Sequence, residues 1–346
     1  MIDQMHVQFM LPQAQNGKKH VPIGIVHGCC LSTKSWQTTP DGRMGWDEYF
    51  VRQGFDTYMI DQVGRARSGF DATAYNKVRT GELTCHQDST TGPNGCLELP
   101  AILIGTDQFA WNGFRWGQTT CTVSPCYATT TPHPDIRLPM NTVGVGNGGT
   151  NLQFFNMIVP DMNGTLDGAY NPPCASALCT PPDPSTFFNS PSQMGKLASK
   201  VGGMILMGHS QSSGFPTSAA LQATSGCYPW TSASACKVKG IVQIETGCYG
   251  NLTSAQINTL KHIPMLIIVG DYFTVPQPAP PCPQEISQIT AAGGDIKFAS
   301  LPDLVPNGLY PGSPGPIHGN EHMMMLDNNN QQIAQIIIDW ASSRGL

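Results

Sequence analysis

The feature that constrains this fold most is an apolar run, residues 202–207, that leads directly into Gly208-His209-Ser210-Gln211-Ser212. An uninterrupted apolar run is typical of a strand covered on both faces of a sheet. Residues 215–224 have the spacing of a helix. A sharp turn from strand to helix needs small neighbours around its central residue, and it raises that side chain above the sheet. The sequence therefore predicts an exposed serine, Ser210, at the carboxyl end of a buried strand.

Short apolar runs alternate with helical segments over most of the chain. Further strands are predicted at 21–26, 55–60, 240–244, 264–269 and 296–301, and helices at 46–53, 284–292 and 328–343. Strand, helix, strand units of this kind are typical of a parallel sheet with helices packed on it. We therefore expect an α/β fold with a mostly parallel central sheet and flanking helices.

Residues 76–199 interrupt this alternation with a stretch rich in Pro, Gly, Thr and Cys. A loop of that length without its own structure is improbable inside a compact domain. We interpret it as a disulfide-rich cap insertion in a core made of residues 1–75 and 200–346. Three aromatic residues in the insertion, Trp111, Phe114 and Trp116, fit a pocket wall and a small local core equally well.

The chain has 12 cysteines, an even number, and they are not arranged in the C-x-x-C pairs of structural zinc sites. Disulfides in a secreted protein are the better interpretation. Spacing allows the pairs Cys85 with Cys96, Cys121 with Cys126, Cys174 with Cys179, Cys227 with Cys236, Cys248 with Cys282, and Cys29 with Cys30, although spacing alone does not fix the connectivity. Sequons at Asn163 and Asn251 predict glycosylation. We expect a mature chain whose leader has been removed or replaced by Met1.

Charge and hydropathy exclude several classes of partner. The net charge is -5, and no Lys/Arg block is present, which argues against nucleic acid and anionic membrane surfaces. The longest apolar runs are far shorter than the roughly 18 residues that a membrane span needs. The sequence predicts a soluble protein, and it leaves a homodimer open.

Further segments carry a resemblance to a known family. The chain resembles the α/β-hydrolase superfamily over residues 7–340 apart from the insertion, and within it secreted arylesterases with two consecutive cysteines beside the active site. The matching segments are His27-Gly28-Cys29-Cys30, Thr39-Pro40-Asp41-Gly42-Arg43, Asp61-Gln62-Val63-Gly64-Arg65-Ala66-Arg67-Ser68 and Gly319-Asn320-Glu321-His322-Met323. The resemblance implies a serine carboxylic ester hydrolase that acts on a small-molecule ester substrate through an acyl-enzyme and needs neither a cofactor nor a metal.

Chain order in this superfamily is serine, acid, histidine. Three histidines follow Ser210. His262 precedes a strand and is expected at the surface or a sheet edge, whereas His318 and His322 lie in the loop before the last helix. The resemblance favours His322 as the base. His318 is expected in the pocket and is the alternative base.

The acid has two candidates at predicted strand ends, Glu245 and Asp271. The superfamily more often uses the later strand, which would select Asp271, but the resembling arylesterases use a glutamate one strand earlier. We therefore favour Glu245 and keep Asp271 as the alternative. The resemblance places the oxyanion donors at the backbone N–H groups of Cys29 and Gln211. A Cys29–Cys30 disulfide would stiffen the loop that presents the first donor.

Other functions share parts of this pattern. His318-Gly319-Asn320-Glu321-His322 matches the H-x-x-E-H pattern of some zinc peptidases, but that chemistry needs a helix, which Gly319 and the preceding prolines disfavour. A lactonase or an acyltransferase would use the same catalytic residues. A protein of this fold that binds without catalysis would lack the nucleophile, the base or the oxyanion loop.

Overall fold

The computed structural model describes residues 4–13, 20–69, 72–85, 102–140, 153–162, 190–245 and 247–346. Its centre is a seven-stranded sheet in the order β1-β3-β2-β6-β7-β8-β9. The strands are β1 (Val7–Met10), β2 (Ile23–Val26), β3 (Thr57–Ile60), β6 (Met204–His209), β7 (Val238–Ile244), β8 (Met265–Val269) and β9 (Ile296–Ser300). Strand β1 runs antiparallel to β3, and the other pairs are parallel. The predicted mostly parallel sheet is confirmed.

The sheet is apolar on both faces because helices cover both. On one face Ile205 and Met207 pack with α2 (Trp46–Arg52) and α10 (Asn330–Ser342). On the other face Leu206 lies in a core cluster with residues of four helices. These are α6 (Ser190–Val201), α7 (Phe215–Ala220), α8 (Ser254–Leu260) and α9 (Cys282–Ala291). Successive strand residues point to opposite faces, so one continuous apolar run builds both cores.

Local chemistry sets several helix ends. Helix α2 has Asp47 and Glu48 in its first turn and Arg52 in its last, an arrangement that complements the helix dipole. Helix α8 begins with a capping box in which the side chains of Thr253 and Gln256 each accept from the other's backbone N–H.

Each strand and helix predicted from the alternation is present, with ends shifted by a few residues. The largest difference is the helix predicted at 215–224, which ends at Ala220 and is followed by a separate 3-10 turn, Ala223–Ser225. Strand β1 carries no strong sequence pattern because it is an edge strand with partly exposed residues. Helix α8 was likewise not predicted.

Described parts of the residues predicted as an insertion contain short elements. These are most of α3 (Thr73–Thr80), α4 (Asp107–Gly113), α5 (Cys126–Thr129) and a small hairpin of β4 (Ile102–Leu103) with β5 (Asp161–Met162). A further short helix, α1 (Lys34–Gln37), lies in the core part. Most of α6 also falls within residues 76–199, and its Met194 and Ala198 pack in the sheet core.

Disulfides are present, as predicted. The structure contains Cys121–Cys126, Cys227–Cys236 and Cys248–Cys282, and Cys85 is also disulfide-bonded. Cys96, Cys174, Cys179 and the sequon residue Asn163 lie outside the described residues. Asn251 is exposed, and its glycosylation stays a prediction. Among the described residues, no helix combines the length and apolar character needed to cross a membrane.

Candidate active site

Ser210 sits on a tight turn between β6 and the following 3-10 turn. Its φ is +54°, in the left-handed region that costs a non-glycine residue free energy. A Cβ on Gly208 would lie 2.1 Å from the Ser212 carbonyl oxygen, and one on Gly28 would lie 2.8 Å from the Ser210 Cβ. Both positions therefore require glycine, and the turn has the strained form that presents a nucleophile.

Ser212 stands where the usual form of this turn has glycine. Its side chain is buried, and its hydroxyl accepts from the His209 N–H at 3.3 Å. The same hydroxyl lies 3.2 Å from the Val26 carbonyl oxygen, to which it can donate. The departure from glycine thus adds a contact that links the turn to the end of β2.

Three side chains meet at the carboxyl edge of the sheet. His322 Nε2 lies 2.8 Å from Ser210 Oγ, and His322 Nδ1 lies 2.9 Å from Glu245 Oε2. Glu245 directly follows β7, and β6 pairs with β7 so that His209 is opposite Ile244. A neutral imidazole that donates from Nδ1 to the carboxylate leaves Nε2 to accept the serine proton.

Glu245 is buried and surrounded by donors. Burial alone would raise the pKa of its carboxyl, but the Arg115 charge, the hydrogen bond and charge of His322 and the Gly270 N–H outweigh burial and lower the pKa to about 2. The N–H of Gly270 donates to Oε1 at 2.7 Å. The carboxylate is therefore ionised and can accept the hydrogen bond from the His322 Nδ1–H group.

His209, next to the serine, holds the main chain of His322. Its Nε2 lies 2.8 Å from the His322 carbonyl oxygen, which can only accept, so Nε2 carries the proton. Burial and the charge of His322 lower the pKa of His209 to about 3. His209 is neutral in this role.

The alternative base and acid lie apart from this contact. Asp271 accepts from the N–H groups of Tyr272 and Gly319, at 2.7 and 3.2 Å. His318 Nδ1 is 3.4 Å from Asp271 Oδ2, and the His318 side chain is 60% exposed. His262 stacks on Trp230, with ring centroids 4.2 Å apart.

The stretch 318–322 contains no helix. Glu321 is buried and accepts from Trp116 Nε1 at 2.8 Å, while His318 and His322 have different partners. Within the part of the chain that the structure describes, no group of three or more His, Cys, Asp and Glu side chains could hold a metal ion. The geometry that H-x-x-E-H zinc sites use is thus not present at this stretch.

The loop after β2 carries the predicted oxyanion residue Cys29. Asp61 fixes this loop, because its Oδ1 accepts from the Thr33 N–H at 2.8 Å and its Oδ2 accepts from Arg67 Nε at 2.7 Å. The sulfur atoms of Cys29 and Cys30 lie 2.9 Å apart, and Cys30 has a φ of +60°. A disulfide between them stays a prediction.

Gln211, the residue of the second predicted oxyanion donor, is held through its side chain. Its Oε1 accepts from Arg65 Nη1 at 2.6 Å, and Arg65 is buried. Arg65 belongs to residues 61–68, a segment that follows β3 and carries part of the family resemblance. That segment therefore also positions a residue beside Ser210.

Trp111, Phe114 and Trp116 are buried in the core cluster that also contains Met323, Met324 and Met325. Phe114 in addition stacks on His322, with ring centroids 4.8 Å apart and ring planes at 11°. The aromatic residues are therefore core, and one of them also contacts the candidate base.

A cavity of about 650 Å³ opens at Ser210. The residues that line it include Tyr249, Phe273 and Phe298, and also Arg115. This volume is within the range of about 300–1,000 Å³ that small-molecule sites have.

Glu321 and Asp327, on either side of the loop that carries His322, are both buried. Burial and the charge of Asp327 raise the pKa of Glu321 well above its usual value. Burial raises the pKa of Asp327 to about 7 despite its hydrogen bond from Asn320. At pH values between the ordinary carboxyl pKa and these raised values, Glu321 and Asp327 therefore keep protons in the folded protein that they would release in the unfolded chain.

This arrangement predicts that the free energy of unfolding falls as the pH rises from the ordinary carboxyl range through the raised pKa values, by up to about 1.4 kcal/mol per pH unit for each of the two acids. Glu321→Gln removes one of the two acids and should flatten that fall. Urea unfolding at about pH 6 and about pH 9 measures it. Glu82→Gln, at an exposed carboxyl just after α3, is the control and should keep the parent slope. Equal slopes in parent and Glu321→Gln would contradict the prediction.

Several of these residues were not found from the sequence. Arg115 and His209 belong to no pattern that points to their role, and Arg115 lies in the irregular stretch. The positive φ values at Ser210, Glu245 and Cys30 are likewise visible only in the structure.

A serine, a histidine and a carboxylate in contact at the carboxyl edge of a mostly parallel sheet define the hydrolase class of this architecture. No protein-family model matches the chain. The chain is similar to a probable secreted lipase, phiG, of a fungal species (strain ATCC 74256), at 22% identity over 97% of this chain and 85% of the relative. It is also similar to a solved structure described as a novel bacterial esterase, at 32% identity and a TM-score of 0.71 over 99% of this chain and 86% of that one. The chain belongs to the α/β-hydrolase superfamily.

Proposed function

We propose that the protein is a secreted serine esterase that hydrolyses carboxylic esters of aromatic type through an acyl-enzyme intermediate. The chain is a hydrolase of the esterase and lipase type. The observation that carries the proposal is the continuous contact from Ser210 Oγ to His322 and from His322 to Glu245, at 2.8 and 2.9 Å. The similarity to a bacterial esterase and to a probable secreted lipase supports it.

In this mechanism Ser210 Oγ attacks the ester carbonyl while His322 Nε2 takes its proton. Glu245 keeps the Nδ1 proton of His322 in place and stabilises the imidazolium that forms. The N–H groups of Cys29 and Gln211 would hold the negative oxygen of the tetrahedral intermediate. His322 then returns the proton to the departing alcohol, and water releases the acid in a second round of the same steps.

The cavity supports the choice of substrate. Tyr249, Phe273 and Phe298 offer aromatic contacts beside Ser210, and the volume accommodates an ester with one ring. Secretion is supported by the disulfides and by the name of the fungal relative.

The test is a panel of short-chain aryl esters, bulky aromatic esters and lactones, combined with a serine-directed phosphonate. We expect fastest hydrolysis of the aryl esters and a phosphonate adduct on the peptide that contains Ser210, found by mass spectrometry. Aryl-ester turnover that survives stoichiometric phosphonate, or an adduct on another residue, would contradict the serine mechanism. Faster turnover of lactones than of every open-chain ester would overturn the substrate choice.

A further inference from the structure

We propose that Arg115 is a positioning residue that holds Glu245 and His322 in their working geometry; the inference rests on the proposed function. Arg115 lies within residues 76–199, the stretch that the sequence predicts to be a cap insertion. The proposal gives this part of the chain a role in catalysis itself.

The Arg115 guanidinium makes two directed contacts at the site. Its Nη2 donates to Glu245 Oε2 at 2.8 Å, and its Nε donates to the Asp271 carbonyl oxygen at 2.8 Å. Its third support is the ring of Phe273, whose centroid is 3.9 Å from the guanidinium carbon. A rigid fork with several donors can hold a carboxylate and a carbonyl together, which a lysine ammonium does less well.

The same oxygen of Glu245 serves both partners. Oε2 accepts from Arg115 and lies 2.9 Å from His322 Nδ1, while Oε1 accepts from Gly270. The carboxylate is thereby fixed from three directions and cannot rotate without breaking contacts. His322 depends on that orientation for its own alignment with Ser210.

The residues on either side of Arg115 contact the histidine loop. The His322 N–H donates to the Phe114 carbonyl oxygen at 3.3 Å, and the Phe114 ring stacks on the imidazole. Trp116 Nε1 donates to Glu321, the residue before His322. Three consecutive residues thus contact the base, the acid and the loop that carries the base.

Arg115 itself has a φ of +63°, a backbone conformation that an arginine adopts at a cost. Its side chain is only 13% exposed, and the Glu245 side chain is 1% exposed. A charge pair with so little water around it is weakly screened, so loss of the arginine charge should be felt strongly at His322.

The Arg115 charge competes with the imidazolium for Glu245. Removal of this charge should make protonation of the base easier and move the acid limb of the kcat/KM profile to higher pH. Among the described residues, the other titratable groups around the pair include His209, which burial keeps neutral, His133, whose pKa burial lowers, and the carboxyls of Asp271 and Glu321. None of these is removed in the variants below.

The experiment compares Arg115→Met, Arg115→Gln and Arg115→Lys with the parent, using an aryl ester across the pH range. Rates are divided by the concentration of active sites, titrated with a phosphonate, so that partial unfolding does not count. We expect kcat per active site to fall about tenfold to a hundredfold in Arg115→Met, and its acid limb to move up by about half to one pH unit. Arg115→Gln, the milder neutral change, should show the same shift, whereas Arg115→Lys should lower kcat and keep the limb in place.

Arg137→Met is the matched control. Arg137 belongs to the same insertion and donates to the His318 carbonyl oxygen at 2.5 Å, without contact to Glu245 among the described residues. Its pH profile should stay that of the parent. If Ser210→Ala is inactive but Arg115→Met and Arg115→Gln keep the parent's kcat per active site and pH profile, the inference fails and the proposed function stands. If Ser210→Ala retains the parent's rate, both fail.

Discussion

Ser210→Ala is expected to lower kcat by about ten thousand- to a millionfold and to change KM little. The alanine leaves the cavity and both candidate oxyanion N–H groups in place but removes the only atom proposed to form the covalent bond. The turn itself should persist, because the Ser210 hydroxyl contributes no contact to the fold beyond His322 Nε2 in the described part of the chain.

The measurement uses an aryl ester that the parent hydrolyses well, with thermal unfolding recorded for both proteins. Ser199→Ala is the control, since the Ser199 hydroxyl lies on helix α6 and donates only to the Thr224 carbonyl oxygen among its described contacts. It should keep the parent's kcat. A folded Ser210→Ala with more than about a hundredth of the parent's turnover would exclude the acyl-enzyme on Ser210.

The second large effect is expected for Glu245→Gln. The amide of glutamine has the size of the carboxylate but no negative charge, so it can neither stabilise the imidazolium nor hold the Nδ1 proton in the same way. It also leaves Arg115 as a buried cation without its ionised partner at 2.8 Å. We expect kcat to fall by about a thousand- to ten thousandfold.

Asp271→Asn is the matched change at the other candidate acid. The Asp271 side chain accepts from the N–H groups of Tyr272 and Gly319, and an amide oxygen can replace one of these contacts. Turnover within about tenfold of the parent is expected. The reverse ranking, with Asp271→Asn the slower variant, would mean that Asp271, and not Glu245, is the acid that supports His322 in the reaction.

A considerable part of the fold could be predicted because its determinants are local. Strand β6 and the turn at Ser210 are read from consecutive residues, since apolar runs and small residues act on the backbone next to them. Cys121 with Cys126 and Cys227 with Cys236 are five and nine residues apart, so spacing alone suggested the pairs. The choice of Glu245 over Asp271, by contrast, came from a resemblance, because both follow a strand.

The sequence by itself determined the class of fold and the serine at the end of a buried strand, and it allowed the short-range disulfides without fixing their pairing. Only the tertiary structure decided which carboxylate contacts His322, and it brought Arg115 to Glu245 across 130 residues of chain. It also showed that Asp61 and Arg67 support the loop of Cys29. The physical reason is that a hydrogen bond between distant segments depends on how strands and helices pack, and no local pattern of residues records that packing.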